Sequence, residues 1–278
     1  MQVPVVSVVM PIFRCNPRLL EDSIESILKQ TFTESELLVI ADPSEPIFDN
    51  AMACVIDEFK DDKRLKVIKN RRRRGFVECL NIGIVASRGK YIARMDADDI
   101  SLPRRLELQI HTIEKGKADF VGTWAQILNG QGEVVSQLTP PADADTIRRM
   151  LMVHNPFIHG SVMFRKSIIA RVGFYNPKLY GAEDYELWMR IIGQGYTCVN
   201  LQEFLLNVRE THVSIMRGNG WRRTRLGYSM AKLYGIVKYG YHDPLSIVLG
   251  LITPMSFFTT PSVAARMKTL VGWLRPLA

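Results

Sequence analysis

Three carboxylates within four positions, Asp96, Asp98 and Asp99, follow the bulky and apolar run Tyr91 to Met95. Asp continues a strand poorly, so the run reads as a short strand that stops at the acids and presents them at its tip. Carboxylates this close repel one another unless a cation or a proton relieves them. Hard oxygen donors suit Mg²⁺ or Mn²⁺, ions that take one or two carboxylates together with substrate phosphates. The competing reading is an acidic turn in which Asp99 caps a helix beginning near Pro103. A second acidic pair, Glu183-Asp184, opens a helix whose apolar face carries Leu187, Trp188 and Ile191. The pair either complements the helix dipole or supplies a general base, because an anion at a helix N-terminus stays ionised, as a base must. In the second reading Asp184 is the base and Glu183 supports its orientation.

Further residues admit two readings each. The loop Asn70-Arg71-Arg72-Arg73-Arg74-Gly75 is either a solvated surface or a set of forks, Arg71 among them, for a diphosphate or a base ring. His159, in Asn155-Pro156-Phe157-Ile158-His159-Gly160-Ser161, is either satisfied in a core or in contact with substrate. His212 is either a surface residue or a third metal ligand, since neutral imidazole binds transition ions such as Mn²⁺.

The elements that must position these groups alternate between strand and helix. Val5 to Met10 reads as a buried first strand, and Asn16-Pro17 starts a helix with Leu20, Ile24, Ile27 and Leu28 on one face. Strands at 37–40 and 65–68, helices at 51–59 and 76–86, and the strand at 91–95 follow. This alternation argues for a parallel sheet with helices on both faces, whose ligands bind at the carboxyl ends of strands. Asp42 and Asp96 to Asp99 both fall at such ends. Beyond them come a helix at 103–114, strands at 120–128 and 134–138, a helix at 146–152, a strand at 161–164, a loop and helix at 181–192, and two strands at 197–201 and 204–208.

The chain has 278 residues, 47% of them hydrophobic, enough to bury one large α/β domain with an appendage. Its four cysteines are scattered and form no Cys-x-x-Cys, which fits reduced thiols in a cytoplasmic protein. Val5 to Met10 lacks a basic leader and is too short to span a bilayer, so no signal peptide is expected. The net charge of +8 is unevenly placed: residues 217–278 hold nine Lys/Arg and one acid, Asp243, which leaves the rest neutral.

The runs Val6-Ser7-Val8-Val9-Met10-Pro11, Ser26-Ile27-Leu28-Lys29-Gln30-Thr31-Phe32, Leu80-Asn81-Ile82-Gly83, Arg94-Met95-Asp96-Ala97-Asp98-Asp99 and Ala182-Glu183-Asp184 occur in that order. The ordered set resembles the family 2 inverting glycosyltransferases of the GT-A fold, of the kind that build bacterial cell-surface polysaccharides, over about residues 5–215. The resemblance implies a Rossmann-like, mostly parallel sheet flanked by helices. It implies a catalytic domain at 1–216, with a nucleotide-sugar half at 1–100 and an acceptor half at 101–216. It assigns nucleotide-sugar binding to Pro11, Phe13, Asp42, Arg71, Asn81, Asp96 and Ala97, and acceptor binding to His159 and Trp188. Asp98 and His212 would hold Mn²⁺ or Mg²⁺ on the donor diphosphate, and Asp184 and Glu183 would be the catalytic pair. The implied reaction is hexosyl transfer from a nucleotide sugar, with a UDP-sugar favoured, to a saccharide acceptor, polyprenyl-lipid-linked in the surface-polysaccharide setting. Two departures bear on the base. Ala41-Asp42-Pro43-Ser44 stands where the family often has paired Asp and Gly-Ser, and Arg73 stands where it often has Asn.

Residues 244–265 carry no charge and are long enough to span a bilayer, but Pro254, Pro261 and six Ser/Thr disfavour one straight spanning helix. Basic helices at 221–239 and 263–274 flank the stretch. Segment 217–278 is therefore expected to be a helical appendage lying on an anionic membrane surface at its cytoplasmic face, or packed on the domain. Two other functions compete with this reading. A sugar-phosphate nucleotidyltransferase would carry a Gly-rich basic loop after its first strand, where this chain has Pro11-Ile12-Phe13-Arg14-Cys15. A nucleic-acid-binding protein would carry a basic face on a known module, whereas this tail alternates basic and apolar stretches, so no nucleic-acid partner is expected.

Overall fold

Residues 3–179, 181–210, 221–241 and 247 are described by a computed structural model. Four strands, β1 (Val6–Ile12), β2 (Ser35–Ala41), β3 (Leu65–Lys69) and β4 (Tyr91–Arg94), pair in parallel in the order β3-β2-β1-β4. Helices α1 (Pro17–Leu28), α2 (Pro46–Glu58) and α3 (Phe76–Ala86) connect them. β1 is apolar on both faces because both are covered. Val6, Val8, Met10 and Ile12 pack with Leu20, Ile24 and Ile27 of α1, while Val9 packs with Val77, Leu80 and Ile84 of α3. α1 starts where the sequence predicts, with the Asn16 side chain accepting from Arg18 N and Pro17 in the first turn.

The second half adds β5 (Ile100–Ser101), α4 (Arg105–Glu114), β6 (Phe120–Leu128), β7 (Val134–Leu138), α5 (Ala144–Leu151), β8 (Met163–Arg165), α6 (Lys166–Val172), α7 (Glu183–Gly193), β9 (Cys198–Arg209) and α8 (Trp221–Lys238). Here the sheet is mixed: β8 runs antiparallel to β4 and β6, β6 pairs parallel with β9, and β5 closes the edge antiparallel to β9. The run of consecutive parallel neighbours therefore ends at β4, and beyond it only β6 and β9 pair in parallel. The two strands expected at 197–201 and 204–208 are one strand, β9, whose register shifts opposite Thr123 and Trp124.

Asp99 does not cap α4, which begins at Arg105. The Gln30 side chain takes that role: its carbonyl accepts from Leu106 N at 3.1 Å and its amide donates to Leu102 O at 2.8 Å. Gln30 thereby ties the end of α1 to the segment that follows the acids.

α8 packs closely on α7 and on the turn before it. A Cβ on Gly227 would lie 2.9 Å from Ala182 Cβ, and one on Gly235 would lie 2.4 Å from Met189 Cε. Only glycine lets α8 approach α7 and the turn before it this closely. The expected boundary at residue 216 thus separates α8 from the helix it packs against. The expected helix at 263–274, the uncharged run 244–265 apart from Ile247, and His212 lie outside the described residues.

Candidate active site

The strand order turns around at β1: β2 and β3 lie on one side of it and β4 on the other. Such a switch point opens a crevice at the carboxyl ends of the strands. Phe13 follows β1, Asp42 follows β2, the loop 70–75 follows β3, and Asp96, Asp98 and Asp99 follow β4. The fold therefore brings to one edge the groups that the sequence places far apart.

Arg94, at the end of β4, is the centre of this site. It is 4% exposed, its guanidinium is paired with the Asp96 carboxylate, and it lies 5.4 Å from the centre of the Phe76 ring. Burial opposes its charge, and Asp99, Tyr175, Asp98 and Asp184 favour it. Arg105 is fully buried behind it. It donates to Gly160 O at 2.9 Å and to Arg94 O at 3.0 Å, so it links the end of β4 to the turn that carries His159. Burial, then Arg94, pushes Arg105 down to about 9.

The three acids have three environments. Asp96 is half-buried and held by Arg94. Asp99 is buried, accepts from Arg209 N at 3.0 Å, and is pushed up to about 7 by burial and then by Asp98. Asp98, partly exposed, lies close enough to Cys15, just after β1, to disfavour its thiolate. Among the described residues no three His, Cys, Asp or Glu converge as a ready-made metal cage. One accessible carboxylate beside an open crevice fits a divalent ion that draws most of its ligands from a diphosphate.

Asp184 stands across the crevice at the start of α7. Its Oδ2 accepts from Asn155 Nδ2 at 2.7 Å and its Oδ1 from Tyr185 N at 2.7 Å. Burial raises its pKa, and Tyr185 N, Asn155 and Arg94 hold it down. Glu183, 6% exposed, accepts from Gly181 N and is pushed up by burial and then by the Asp184 charge. Two adjacent carboxylates with one better supplied with donors leave Asp184 the readier anion. His159 Nε2 lies 3.0 Å from Tyr175 Oη, and burial, then Arg94, keeps the imidazole neutral.

Other predicted residues take different places. Trp188 is 1% exposed and packs among Phe120, Phe157, His159, Phe164 and Tyr175, so it is a core residue and not an acceptor contact. Its position four residues after Asp184 turns it inward on α7, against the sheet. The Asn81 amide pairs with the backbone of Tyr175 at 2.9 and 3.0 Å, tying α3 to the loop before α7. Asp42 is 3% exposed and its carboxylate accepts from Asn70 Nδ2, Arg74 N and Gly75 N at 2.8–3.0 Å. It closes the basic loop onto β2. Arg71 is exposed, Ala97 packs in the core beneath the acids, and Pro11 and Phe13 are half-buried. Arg73 lies 4.4 Å from the centre of the Phe13 ring. The sequence reading missed Arg94, Arg105 and Asn155 as site residues. A charged residue inside the apolar run Tyr91 to Met95 was the available signal for Arg94.

The profile of Glycosyl transferase family 2 matches residues 7–173. The chain belongs to that family. It is 33% identical over 212 residues to the O-antigen biosynthesis glycosyltransferase WbnJ of Escherichia coli, covering 73% of this chain and 79% of that protein. It is 25% identical over 256 residues to the E. coli UDP-Gal:alpha-D-GlcNAc-diphosphoundecaprenol beta-1,3-galactosyltransferase, covering 90% of each. Residues 1–349 of Staphylococcus aureus TarS in complex with UDP-GlcNAc share the fold at a TM-score of 0.71 and 17% identity, over 91% of this chain and 73% of that one. The Pyrobaculum calidifontis mannosyltransferase PcManGT in complex with GDP-Man and Mn²⁺ does so at 0.59 and 16%, over 98% and 81%. The protein is thus a glycosyltransferase with the GT-A architecture.

Proposed function

We propose that this glycosyltransferase moves a hexose, with inversion, from a nucleotide sugar to a saccharide acceptor in surface-polysaccharide biosynthesis. A UDP-sugar is the favoured donor and a polyprenyl-linked saccharide the favoured acceptor. The observation that carries the reading is the facing pair of acidic groups: Asp96 to Asp99 on the strand side and the doubly anchored Asp184 on the helix side, with Arg94 between them. The relatives support the setting, one named for O-antigen biosynthesis and another for a diphosphoundecaprenol-linked acceptor.

In this mechanism Asp184 accepts the proton of the acceptor hydroxyl. The oxygen bonds to the anomeric carbon on the face opposite the leaving group, and the bond from that carbon to the diphosphate oxygen breaks. The nucleoside diphosphate leaves and the anomeric configuration inverts. A base of this kind is worth about 10²–10⁴-fold. Asp98, with His212 from beyond the described residues, would hold Mg²⁺ or Mn²⁺, which when bound supplies positive charge against the diphosphate. Glu183 orients its neighbour. Neutral His159 offers a hydrogen bond to the acceptor side. Asp42, Phe13, Arg71 and Arg73 shape the base pocket, Asp42 by fixing the loop and Phe13 by its ring face. Asn81 acts through the backbone of Tyr175.

Segment 217–278 would hold the enzyme on an anionic membrane surface at the cytoplasmic face. Two features support this: its charge of nine Lys/Arg against one acid, and the exposed stripe Leu226, Met230, Leu233 and Val237 along α8. No helix among the described residues is long and apolar enough to cross a membrane.

The test is binding of a panel of nucleoside diphosphates and nucleotide sugars, with and without Mn²⁺, to the wild type and to Asp98→Ala. Metal-dependent binding that the substitution abolishes supports the donor site. Absence of binding to every donor overturns it.

A further inference from the structure

Arg94 leaves β4 with its backbone fixed on both sides: its N donates to Val162 O at 2.9 Å, and its O accepts from Arg105 Nη2 at 3.0 Å. The side chain is held on three sides. The Phe76 ring centre lies 5.4 Å from its Cζ, and the Asp96 carboxylate accepts from Nη1. Gly160 presses on the same edge, where a Cβ would stand 3.2 Å from both Arg94 Nη1 and Asp96 Oδ2. Nε is buried without a partner. Nη2 has no partner among the described residues and, unlike Nε, is not buried out of reach. Earlier on the segment that carries Gly160, Asn155 donates Nδ2 to Asp184 Oδ2 at 2.7 Å. The stretch 155–160 therefore touches both banks of the crevice, with Arg94 against its end.

We propose that Arg94 binds the transferred hexose: its open guanidinium edge donates to a sugar hydroxyl and so helps to set which sugar the enzyme accepts. The proposal rests on the reading of the crevice between Asp96 and Asp184 as the donor site. A sugar in transit lies between the diphosphate it leaves and the base that activates its acceptor, and Arg94 is the buried donor group between those two banks. A guanidinium has five N–H donors and no acceptor. Asp96 engages one nitrogen; the others lose water on burial and find no protein oxygen in return among the described residues. A ligand that supplies oxygens restores the balance. Hydroxyls suit the place better than phosphate, because Asp96 already balances the Arg94 charge and the neighbouring carboxylates oppose a further anion. The contact is also directional, since Phe76 and Gly160 leave the guanidinium plane little room to turn. A donor buried and oriented in this way rejects a sugar that lacks the matching hydroxyl.

The experiment measures binding of UDP and of a panel of UDP-hexoses to the full chain, as wild type and as Arg94→Lys, with Tm recorded for each. Turnover is then followed with the UDP-hexose that the wild type uses and with forms of it that lack one hydroxyl each. Lysine keeps the charge beside Asp96 and removes the fork. Arg94→Lys should bind UDP as the wild type does and lose about tenfold to a hundredfold in kcat/KM for the hexose donor. One deoxy donor should lose a similar factor with the wild type and almost nothing further with Arg94→Lys, as two halves of a single contact do. Gly160→Ala tests the same contact with every charge kept: its Cβ crowds Nη1 from the flank, and Gly160 has no positive φ for alanine to strain. It should show the same selective loss even where Arg94→Lys does not fold. Equal losses of UDP and UDP-hexose binding, deoxy-donor effects that simply add to that of Arg94→Lys, or wild-type donor selectivity in Gly160→Ala overturn the proposal. If no UDP-hexose binds the wild type, the donor-site reading fails and the role of Arg94 with it. If one binds and Arg94→Lys keeps the wild-type selectivity, only the role of Arg94 fails.

Discussion

Replacing Glu183 by Gln tests the electrostatics of the catalytic turn through stability rather than rate. The Glu183 carboxyl is raised from 4.5 to about 7, by burial and then by the Asp184 charge. A carboxyl that titrates higher in the folded state than in the unfolded one favours folding only while it is protonated. Its contribution is therefore fully present below pH 4.5 and is lost as pH rises through about 7. At 1.36 kcal/mol for each unit, this raises the cost of keeping the ionised group buried at pH 8 to roughly 3 kcal/mol at most. Gln has the same shape, keeps a carbonyl to accept from Gly181 N, and never ionises. Urea unfolding of both proteins at about pH 5 and about pH 8 measures the difference. The variant should match the wild type within about 1 kcal/mol at the lower pH and exceed it by roughly 2–3 kcal/mol at the higher one. It should also lower the pH at which activity rises, because Asp184 loses a like charge beside it. A variant that is equally or less stable than the wild type at pH 8 would refute the picture of a strained carboxylate pair.

Other consequences follow from the packing. Trp188→Ala should cost about 3–5 kcal/mol of stability and leave the acceptor KM of the folded fraction unchanged; a selective rise in acceptor KM at full stability would return Trp188 to the binding site. Arg94→Met leaves Asp96 and its buried neighbours without their cation, and should cost about 3–5 kcal/mol together with activity, read by thermal unfolding and turnover. Exchanging Leu226, Met230, Leu233 and Val237 for Gln should abolish sedimentation of the full chain with anionic vesicles while leaving transfer to a soluble acceptor intact; sedimentation equal to the wild type would remove α8 from the membrane surface.

The first half of the fold was legible because its signals are local. Asn16-Pro17 sets the start of α1, the uninterrupted apolar run of β1 marks a strand covered on both faces, and α3 begins and ends where the sequence predicts. The second half was less so. β9 reads as two strands because its register shift interrupts the alternation, and α8 reads as an appendage because it is basic and several of the residues it buries, Thr224, Ser229, Ala231 and Lys232, are small or polar. In the site, the acids announced themselves by spacing. What organises them did not: Arg94 and Arg105 act from within apolar surroundings, and Gln30 and Asn155 act across 71–76 and 29 residues of sequence respectively. Trp188 was misplaced because an aromatic residue one turn after a base looks the same on paper whether it faces the crevice or the core.

The central claim is that Asp184 removes the proton from the acceptor hydroxyl. Single-turnover transfer by Asp184→Asn, with donor binding measured on the same preparation, tests it most directly. The account predicts that donor binding survives and that transfer falls by about 10² or more. Transfer at the wild-type rate in a variant that still binds donor would contradict it.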